Sequence, residues 1–123
     1  MPQDIKKVLI IDDDEDILFT LGVLLKNEEY NVITNLDPLE GFHQAIVERP
    51  DVILLDVMMP NITGYELFWM LKANTNTRDI PVIILTAKDK MKESFMMMGA
   101  YDFIPKPYNT DYLKERINFV IRV

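Results

Sequence analysis

Residues 53–60 read Ile53-Leu54-Leu55-Asp56-Val57-Met58-Met59-Pro60, an apolar run that ends in a carboxylate and then a proline turn. An unbroken aliphatic run bounded by turn signals is typical of a strand that is buried on both faces of a parallel sheet. Asp56 therefore stands where a buried strand ends. Because ligands bind beside the carboxyl ends of the strands in an open parallel α/β sheet, the sequence predicts that Asp56 belongs to a binding site.

Length and composition indicate one ordinary soluble domain. Of the 123 residues, 49% are hydrophobic and 27% charged, so we expect residues 1–123 to form a single domain with a buried core. The absence of cysteine excludes a disulfide framework and a thiol nucleophile. We expect no secretory signal and no membrane span, hence a cytoplasmic protein. A net charge of −7 argues against direct binding of nucleic acid, whose phosphates must be neutralised by Lys and Arg.

Five strands are predicted to alternate with five helices. Short aliphatic runs bounded by polar residues or proline indicate strands at 8–11, 31–36, 51–56, 81–86 and 101–104. Apolar residues at helical spacing indicate helices near 17–25, 38–49, 65–72, 90–98 and 111–122. Such alternation is typical of a parallel sheet covered by helices on both sides, with right-handed crossovers. The sequence therefore predicts an α/β protein, a doubly wound three-layer sandwich.

A run of acidic residues lies between the first strand and the first helix, in the order Asp12, Asp13, Asp14, Glu15, Asp16. Aspartate is a favourable N-cap, and acids in the first turn interact well with the helix dipole. Capping therefore explains Asp14, Glu15 and Asp16. It does not explain Asp12 and Asp13.

Polar side chains stand at the carboxyl ends of four predicted strands. Asp12 and Asp13 follow the first strand, Asp56 ends the third, Thr86 ends the fourth and Lys106 follows the fifth. Because parallel strands end at one edge of the sheet, we expect these side chains to converge there. Carboxylates held close together repel each other unless a cation lies among them, and an all-oxygen set in a chain with a single histidine favours Mg²⁺ over zinc. Lys106 as a charge and Thr86 as a hydroxyl donor are then suited to hold a phosphoryl group.

Four segments resemble the receiver (phosphoacceptor) domain of two-component response regulators. They are VLIIDDDEDIL at 8–18, DVILLDVMMPNITGYEL at 51–67, VIILTAKD at 82–89 and GAYDFIPKPY at 99–108. Each is a weak signal alone, but the four in this order and spacing are highly specific, and the resemblance covers almost the whole chain. It implies a flavodoxin-like fold, with a five-stranded sheet in the order 2-1-3-4-5 and the first and third strands side by side.

The resemblance implies a phosphorylation site and a metal site. Asp56 would be the phosphorylated residue and would also contact Mg²⁺. Asp13 would be a direct Mg²⁺ ligand, and Asp12 would assist it. Met58 would offer its backbone carbonyl to the metal.

The resemblance also assigns residues around the phosphoryl group. Thr86 and Lys106 would contact its oxygens, and Met58 and Lys88 would flank it at positions where the family tunes hydrolysis. Phe103, three residues before the lysine, falls at the aromatic switch position of the family. The family further suggests a cis peptide bond between Lys106 and the proline that follows it.

Partners follow from the same resemblance. The phosphoryl group would come from a sensor histidine kinase or phosphotransfer protein, and Thr86 and Phe103 would then alter the surface of the fourth helix, fifth strand and fifth helix for a downstream effector or output domain. The expected catalysis is limited to the chain's own aspartyl phosphorylation and dephosphorylation, and the expected state is a monomer or weak dimer. Two departures stand out. The segment from Thr86 to Lys106 is shorter than usual, which predicts a trimmed fourth helix or leading loop, and Phe103 lacks the hydroxyl of the commoner tyrosine.

The acidic run suggests two other interpretations, and a degenerate receiver is a third possibility. An EF-hand loop beginning at Asp12 fails, because Ile17 stands where glycine is needed and Val23 where the closing glutamate belongs. A phosphatase or phosphotransferase of the haloacid dehalogenase kind would use Asp12 as nucleophile and Asp14 as acid. That enzyme would need Thr or Val at Asp16 and a late acidic pair, and the chain is short for it. A degenerate receiver that only binds partners is disfavoured by the complete polar set at the strand ends.

Overall fold

Strands and helices alternate through residues 5–57, 64–87 and 91–122, the parts of the chain that the computed structural model describes. In chain order the elements are β1 (Lys7–Ile11), α1 (Glu15–Asn27), β2 (Asn31–Asn35), α2 (Pro38–Glu48), β3 (Val52–Asp56), α3 (Gly64–Ala73), β4 (Val82–Thr86), α4 (Lys92–Met97), β5 (Asp102–Pro105) and α5 (Thr110–Arg122). These ranges agree with the sequence predictions to within about two residues at each end. Among the helices of these ranges, none combines the length and the apolar composition needed to cross a membrane.

The five strands form one parallel sheet in the order β2-β1-β3-β4-β5. This is the order that the resemblance implied, and the predicted doubly wound α/β sandwich is confirmed. β1 and β3 lie side by side, with Ile11 paired with Leu55. Every residue of β3 and β4 is buried, as expected for unbroken aliphatic strands that are covered on both faces.

Alternate residues of the same strands fill two hydrophobic cores, one on each face of the sheet. The first core lies under α2, α3 and α4 and includes Leu9 and Ile53. The second core lies under α1 and α5 and includes Val8 and Leu54. Because successive side chains of a strand point to opposite faces, each central strand supplies both cores.

Aspartate side chains cap the helices that follow β1 and β2. Oδ1 of Asp14 accepts hydrogen bonds from the backbone N–H groups of Asp16 at 2.9 Å and Ile17 at 3.3 Å. Asp37 caps α2 in the same way, with Pro38 as the first helical residue. The expected capping role of Asp14 is therefore confirmed, and each such cap stabilises its helix by about 0.5–2 kcal/mol.

α4 is a short helix of six residues. The chain turns after it at Gly99, whose φ of +103° is a conformation that glycine adopts without a steric penalty. The short helix agrees with the trimming that the sequence predicts between Thr86 and Lys106. Residues 88–90, which precede it, lie outside the described ranges.

Two glycines provide a matched test of packing around β3. A Cβ built on Gly64, the first residue of α3, would lie 2.1 Å from Cα of Val57, whereas a Cβ built on Gly22 of α1 would meet nothing within 4 Å. We expect Gly64→Ala to lower the free energy of unfolding by about 2–3 kcal/mol, because α3 must move away from the backbone of Val57 to make room for the added methyl group. Gly22→Ala should raise it by about 0.5–1 kcal/mol through helix propensity. Urea denaturation measures both changes, and a neutral Gly64→Ala would contradict the close approach of α3 to β3.

Candidate functional site

Three carboxylates meet at the carboxyl edge of the sheet, where β1 and β3 end. Because Ile11 is paired with Leu55, the residues that follow them, Asp12 and Asp56, lie at the same level. Carboxylate oxygens of Asp12, Asp13 and Asp56 all lie within 4.8 Å of one another. Asp12 and Asp56 are buried, with exposed fractions of 2% and 6%, and Asp13 is exposed. The convergence that the sequence predicts is found for these three residues.

Lys106 brings a positive charge to this cluster. Its Nζ lies 3.0 Å from Oδ2 of Asp12 and 3.4 Å from Oδ2 of Asp56. Burial by itself lowers the pKa of Lys106, but hydrogen bonds to the two carboxylates and their negative charges outweigh burial and hold the pKa above its ordinary value. The ammonium therefore stays charged at neutral pH. The peptide bond to Pro107 is cis, as the resemblance suggested.

Thr86 lies between Asp56 and Lys106 along the edge of the sheet. Asp56 is paired with Leu85, one residue before Thr86, and Thr86 is paired with Pro105, one residue before Lys106. The backbone N–H of Lys106 donates a hydrogen bond to the carbonyl of Thr86 at 2.9 Å, and Thr86 is fully buried. The strand register thus brings the hydroxyl residue to the edge where the carboxylates and the ammonium meet.

Phe103, the expected switch residue, lies inside the protein. It is 4% exposed and belongs to the first core. It is paired with Ile84, two residues before Thr86, and its ring centroid lies 6.4 Å from that of Phe95 in α4. Phe103 thus packs into the core at the position that the sequence indicated. Its switching role stays a prediction.

Two expected site residues lie outside the described residues. Met58, expected to offer a backbone carbonyl to a metal, falls in the range 58–63, and Lys88, expected to flank the phosphoryl group, falls in the range 88–90. The described part of the site consequently includes the carboxylates, the ammonium and the threonine. The roles of Met58 and Lys88 stay predictions.

Two contributions to the site were not predicted from the sequence. The carbonyl of Asn35, at the end of β2, accepts a hydrogen bond from the backbone N–H of Asp12 at 3.2 Å. Tyr108 is partly buried and packs against the second core. Burial raises the pKa of its phenol; the charge of Lys106 lowers this pKa and the charge of Asp12 raises it, both by smaller amounts. The aromatic residue directly after Lys106 and Pro107 was a visible signal. The Asn35 contact depends on the register between β1 and β2, which cannot be predicted from a sequence motif.

The charges and donor atoms of the site favour a hard cation. Among the described residues, three carboxylates lie at the site with one ammonium, so the negative charges outnumber the positive ones. Two of the carboxylates are buried, where their repulsion is weakly screened. Oxygen donors without cysteine or histidine suit Mg²⁺ better than zinc. The arrangement can therefore bind a divalent cation and hold a phosphoryl group beside the ammonium.

Known proteins resemble the chain over nearly its whole length. The family described as response regulator receiver domain matches residues 8–118. Over 119 residues the chain is 34% identical to the alkaline phosphatase synthesis transcriptional regulatory protein PhoP of Bacillus subtilis (strain 168), with 95% of this chain and 49% of that protein covered. The chain spans about half the length of the curated relatives it matches.

Solved structures of response regulators have the same fold. The chemotaxis response regulator CheY4 of Vibrio cholerae matches with a TM-score of 0.87 and 29% identity, covering 95% of this chain and 99% of that one. A response regulator from Desulfuromonas acetoxidans matches with a TM-score of 0.85 and 31% identity, covering 95% and 97%. Both comparisons agree with the strand order and the layered architecture described above.

The ion pair at the site leads to a prediction about stability. Lys106→Met removes the ammonium but keeps an apolar side chain of similar length, so the buried carboxylates of Asp12 and Asp56 are left to repel each other. In the presence of a chelator we expect the free energy of unfolding to fall by about 3 kcal/mol. Chemical denaturation measures the loss. Adding Asp56→Asn to this variant should recover part of it, because one buried charge is then removed.

Lys114→Met is the matched control for that experiment. The Lys114 ammonium lies 3.7 Å from Asp111, whose side chain is 89% exposed, so water screens the pair. Such surface pairs contribute little, and the denaturation midpoint of Lys114→Met should stay close to that of the unmodified chain. Equal losses in the two variants would show that Lys106 does not compensate buried charge.

Proposed function

Because the chain belongs to the response regulator receiver domain family, the receiving module of two-component phosphorelays, we propose that its Asp56 accepts a phosphoryl group from a phosphohistidine of a partner protein. The observation that carries this proposal is the position of Asp56. Its carboxylate lies within 4.8 Å of two further carboxylates and 3.4 Å from the Lys106 ammonium. A carboxylate placed in this way has both a set of cation-binding oxygens and a positive charge close to it.

Asp12 and Asp56 hold different positions at the site. Both oxygens of Asp12 already accept hydrogen bonds, from the Asp14 backbone N–H and from the Lys106 ammonium, each at 3.0 Å. Asp12 thereby holds the lysine in place through a charge-assisted hydrogen bond. Asp56 ends the central strand β3, with the ends of β1 and β4 on either side. This arrangement supports a receiver and disfavours the haloacid dehalogenase alternative, which would use Asp12.

Mg²⁺ is the cofactor that fits the donor set. Carboxylate oxygens of Asp12, Asp13 and Asp56 would hold it, and a backbone carbonyl from Met58 stays an expectation. The fit rests on the chemistry of these donors, which are hard oxygens within 4.8 Å of one another at the carboxyl edge of the sheet. When bound, the ion supplies positive charge that stabilises the phosphoryl oxygens during transfer.

One bond forms and one bond breaks in the proposed transfer. An oxygen of Asp56 attacks phosphorus, and the N–P bond of the phosphohistidine breaks, with its electron pair returning to the imidazole nitrogen. Charge is spread over three phosphoryl oxygens during this step. Lys106, held by Asp12, provides a preorganised positive charge next to them. The Thr86 hydroxyl, at the end of the neighbouring strand, would donate a hydrogen bond to one of these oxygens.

The consequence of phosphorylation is proposed to pass through Thr86 and Phe103. The two residues lie on adjacent strands: Thr86 ends β4 and is paired with Pro105, two residues after Phe103 in β5. Movement of Thr86 toward a phosphoryl group would change the packing against β5, and the buried Phe103 would adjust because interiors contain few voids. The size of this shift is limited by how differently the phosphoryl group binds the two arrangements. The altered surface, formed by α4, β5 and α5, would select the effector.

Partners are proposed from the family and from charge. A sensor histidine kinase or a phosphotransfer protein would supply the phosphoryl group in the cytoplasm, and a downstream effector or output domain would receive the signal. PhoP of Bacillus subtilis is a transcriptional regulatory protein about twice as long as the segment it shares with this chain. With a net charge of −7, the present domain is poorly suited to contact DNA directly, so any such contact would need a separate partner.

Labelling with a small-molecule phosphodonor tests the assignment of Asp56. With Mg²⁺ and acetyl phosphate, the unmodified chain should gain a phosphoryl group that hydroxylamine removes, as expected for an acyl phosphate. Asp56→Asn should lose this labelling, because an amide does not replace the carboxylate as nucleophile. Asp79→Asn, an exposed aspartate in the connector before β4, should be labelled like the unmodified chain. Intact-mass measurement and mapping of the modified residue decide the matter, and a phosphate mapped to Asp12 would reject the proposal.

Mg²⁺ binding can be measured without phosphorylation. Asp13→Asn removes one carboxylate from the proposed ligand set and should weaken Mg²⁺ binding by about tenfold, or about 1.4 kcal/mol, in isothermal titration calorimetry. Asp16→Asn removes an exposed acid from the first turn of α1 and should change the affinity little. Equal effects of the two substitutions would indicate that overall negative charge attracts the ion and that Asp13 is not a ligand. Chelation with EDTA should also abolish the labelling of the unmodified chain.

A further inference from the structure

α4 is attached to the domain mainly by one side chain. Among its residues Phe95 is fully buried, whereas Met96 and Met97 are 39% and 86% exposed. Met91 and Met98, which flank the helix, pack partly buried against the same first core. A helix of six residues is too short to be stable alone, so its position depends on where Phe95 packs.

The ring of Phe95 contacts three other aromatic rings. Its centroid lies 5.4 Å from Phe68 and 5.6 Å from Tyr65, both in α3, with interplanar angles of 78° and 62°. These are the edge-to-face arrangements that aromatic pairs prefer. The third neighbour, Phe103 of β5, lies 6.4 Å away at an angle of 36°. Phe95 therefore packs more closely on α3 than on β5.

We propose that Phe95 is a positioning residue that transmits a change at Phe103 to the surface of α3 around Tyr65 and Trp69. This inference rests on the proposed function, because it requires Phe103 to move when the site is occupied. Tyr65 is 40% exposed and Trp69, one turn later, is 60% exposed, so this part of α3 lies at the protein surface. The signal would then be readable on α3 as well as on the surface of α4, β5 and α5.

Close packing provides the physical reason. Phe95 and Phe103 are 0% and 4% exposed, so a movement of Phe103 leaves a void unless Phe95 follows. Phe95 cannot follow without disturbing its edge-to-face contacts in α3. Phe68 is fully buried and also lies beneath the Lys72 ammonium, 5.7 Å from the ring centroid, so it is held from two sides. Tyr65, which is partly exposed, is the neighbour that can move at least cost.

The chain's single tryptophan makes this inference measurable. Its indole N–H gives one NMR signal on α3, which is recorded together with the Phe103 amide before and after addition of Mg²⁺ and beryllofluoride, a stable analogue of a phosphoryl group on a carboxylate. Both signals should shift in the unmodified chain. In Phe95→Leu, beryllofluoride should still saturate the site and shift the Phe103 amide. The shift of the Trp69 indole should fall by about threefold or more, because the ring that links β5 to α3 is gone.

Two further variants complete the experiment. Phe119→Leu removes an exposed ring of α5 that contacts Arg116, on the other face of the sheet, and should leave the Trp69 shift unchanged. Phe103→Leu should reduce the Trp69 shift as Phe95→Leu does, and it keeps the test decisive if Phe95→Leu does not fold.

The outcomes separate this inference from the function on which it rests. An undiminished Trp69 shift in either Phe95→Leu or Phe103→Leu overturns the coupling. A shift of the Phe103 amide without any shift of Trp69 in the unmodified chain also overturns it, and leaves the receiver function intact. Failure of the unmodified chain to bind beryllofluoride overturns the proposed phosphoryl site itself.

Discussion

The ion pair that Lys106 makes with Asp12 and Asp56 is the contact on which the whole site depends. Two buried carboxylates whose oxygens lie within 4.8 Å repel each other strongly in a medium of low dielectric constant, and the ammonium at 3.0 and 3.4 Å offsets this repulsion. The same contact joins three strands, because Asp12 follows β1, Asp56 ends β3 and Lys106 follows β5. The strand order therefore brings these three charges together, and a different strand order would separate them.

The charges in the described part of the site are only partly compensated. The ammonium faces the two buried carboxylates, while the third, Asp13, is exposed. Excess negative charge at an exposed side chain is screened by water and salt, so its cost to stability is small. Among the described residues no lysine is paired with Asp13, and a lysine paired there would compete with a divalent ion for the same oxygens. The incomplete compensation is thus what a cation-binding site requires, and it agrees with the general conflict between stability and function.

Features that depend on neighbours along the chain were predictable from the sequence. The buried strands follow from aliphatic runs, the cap at Asp14 from its place before a helix, and the polar residues at the strand ends from where those runs stop. The strand order was taken from the family resemblance, because an aliphatic run does not say which strands pair. Contacts between distant segments were beyond local patterns. Examples are the closer approach of Lys106 to Asp12 than to Asp56 and the approach of Gly64 to the backbone of Val57.

Thr86 lies between the charged site at the edge of the sheet and the aromatic core around Phe103. On one side, charge determines the geometry of the site. On the other side, Phe103 has no hydroxyl with which to form a hydrogen bond at the surface, so aromatic packing determines its position. A longer fourth helix would present several buried side chains to the core and spread this packing over them, whereas a helix of six residues concentrates it in Phe95. Thr86 touches both parts, because its carbonyl accepts the Lys106 N–H and its strand pairs with that of Phe103. In the proposed mechanism a shift of Thr86 would be absorbed by a few aromatic rings, of which Tyr65 in α3 is partly exposed at the surface.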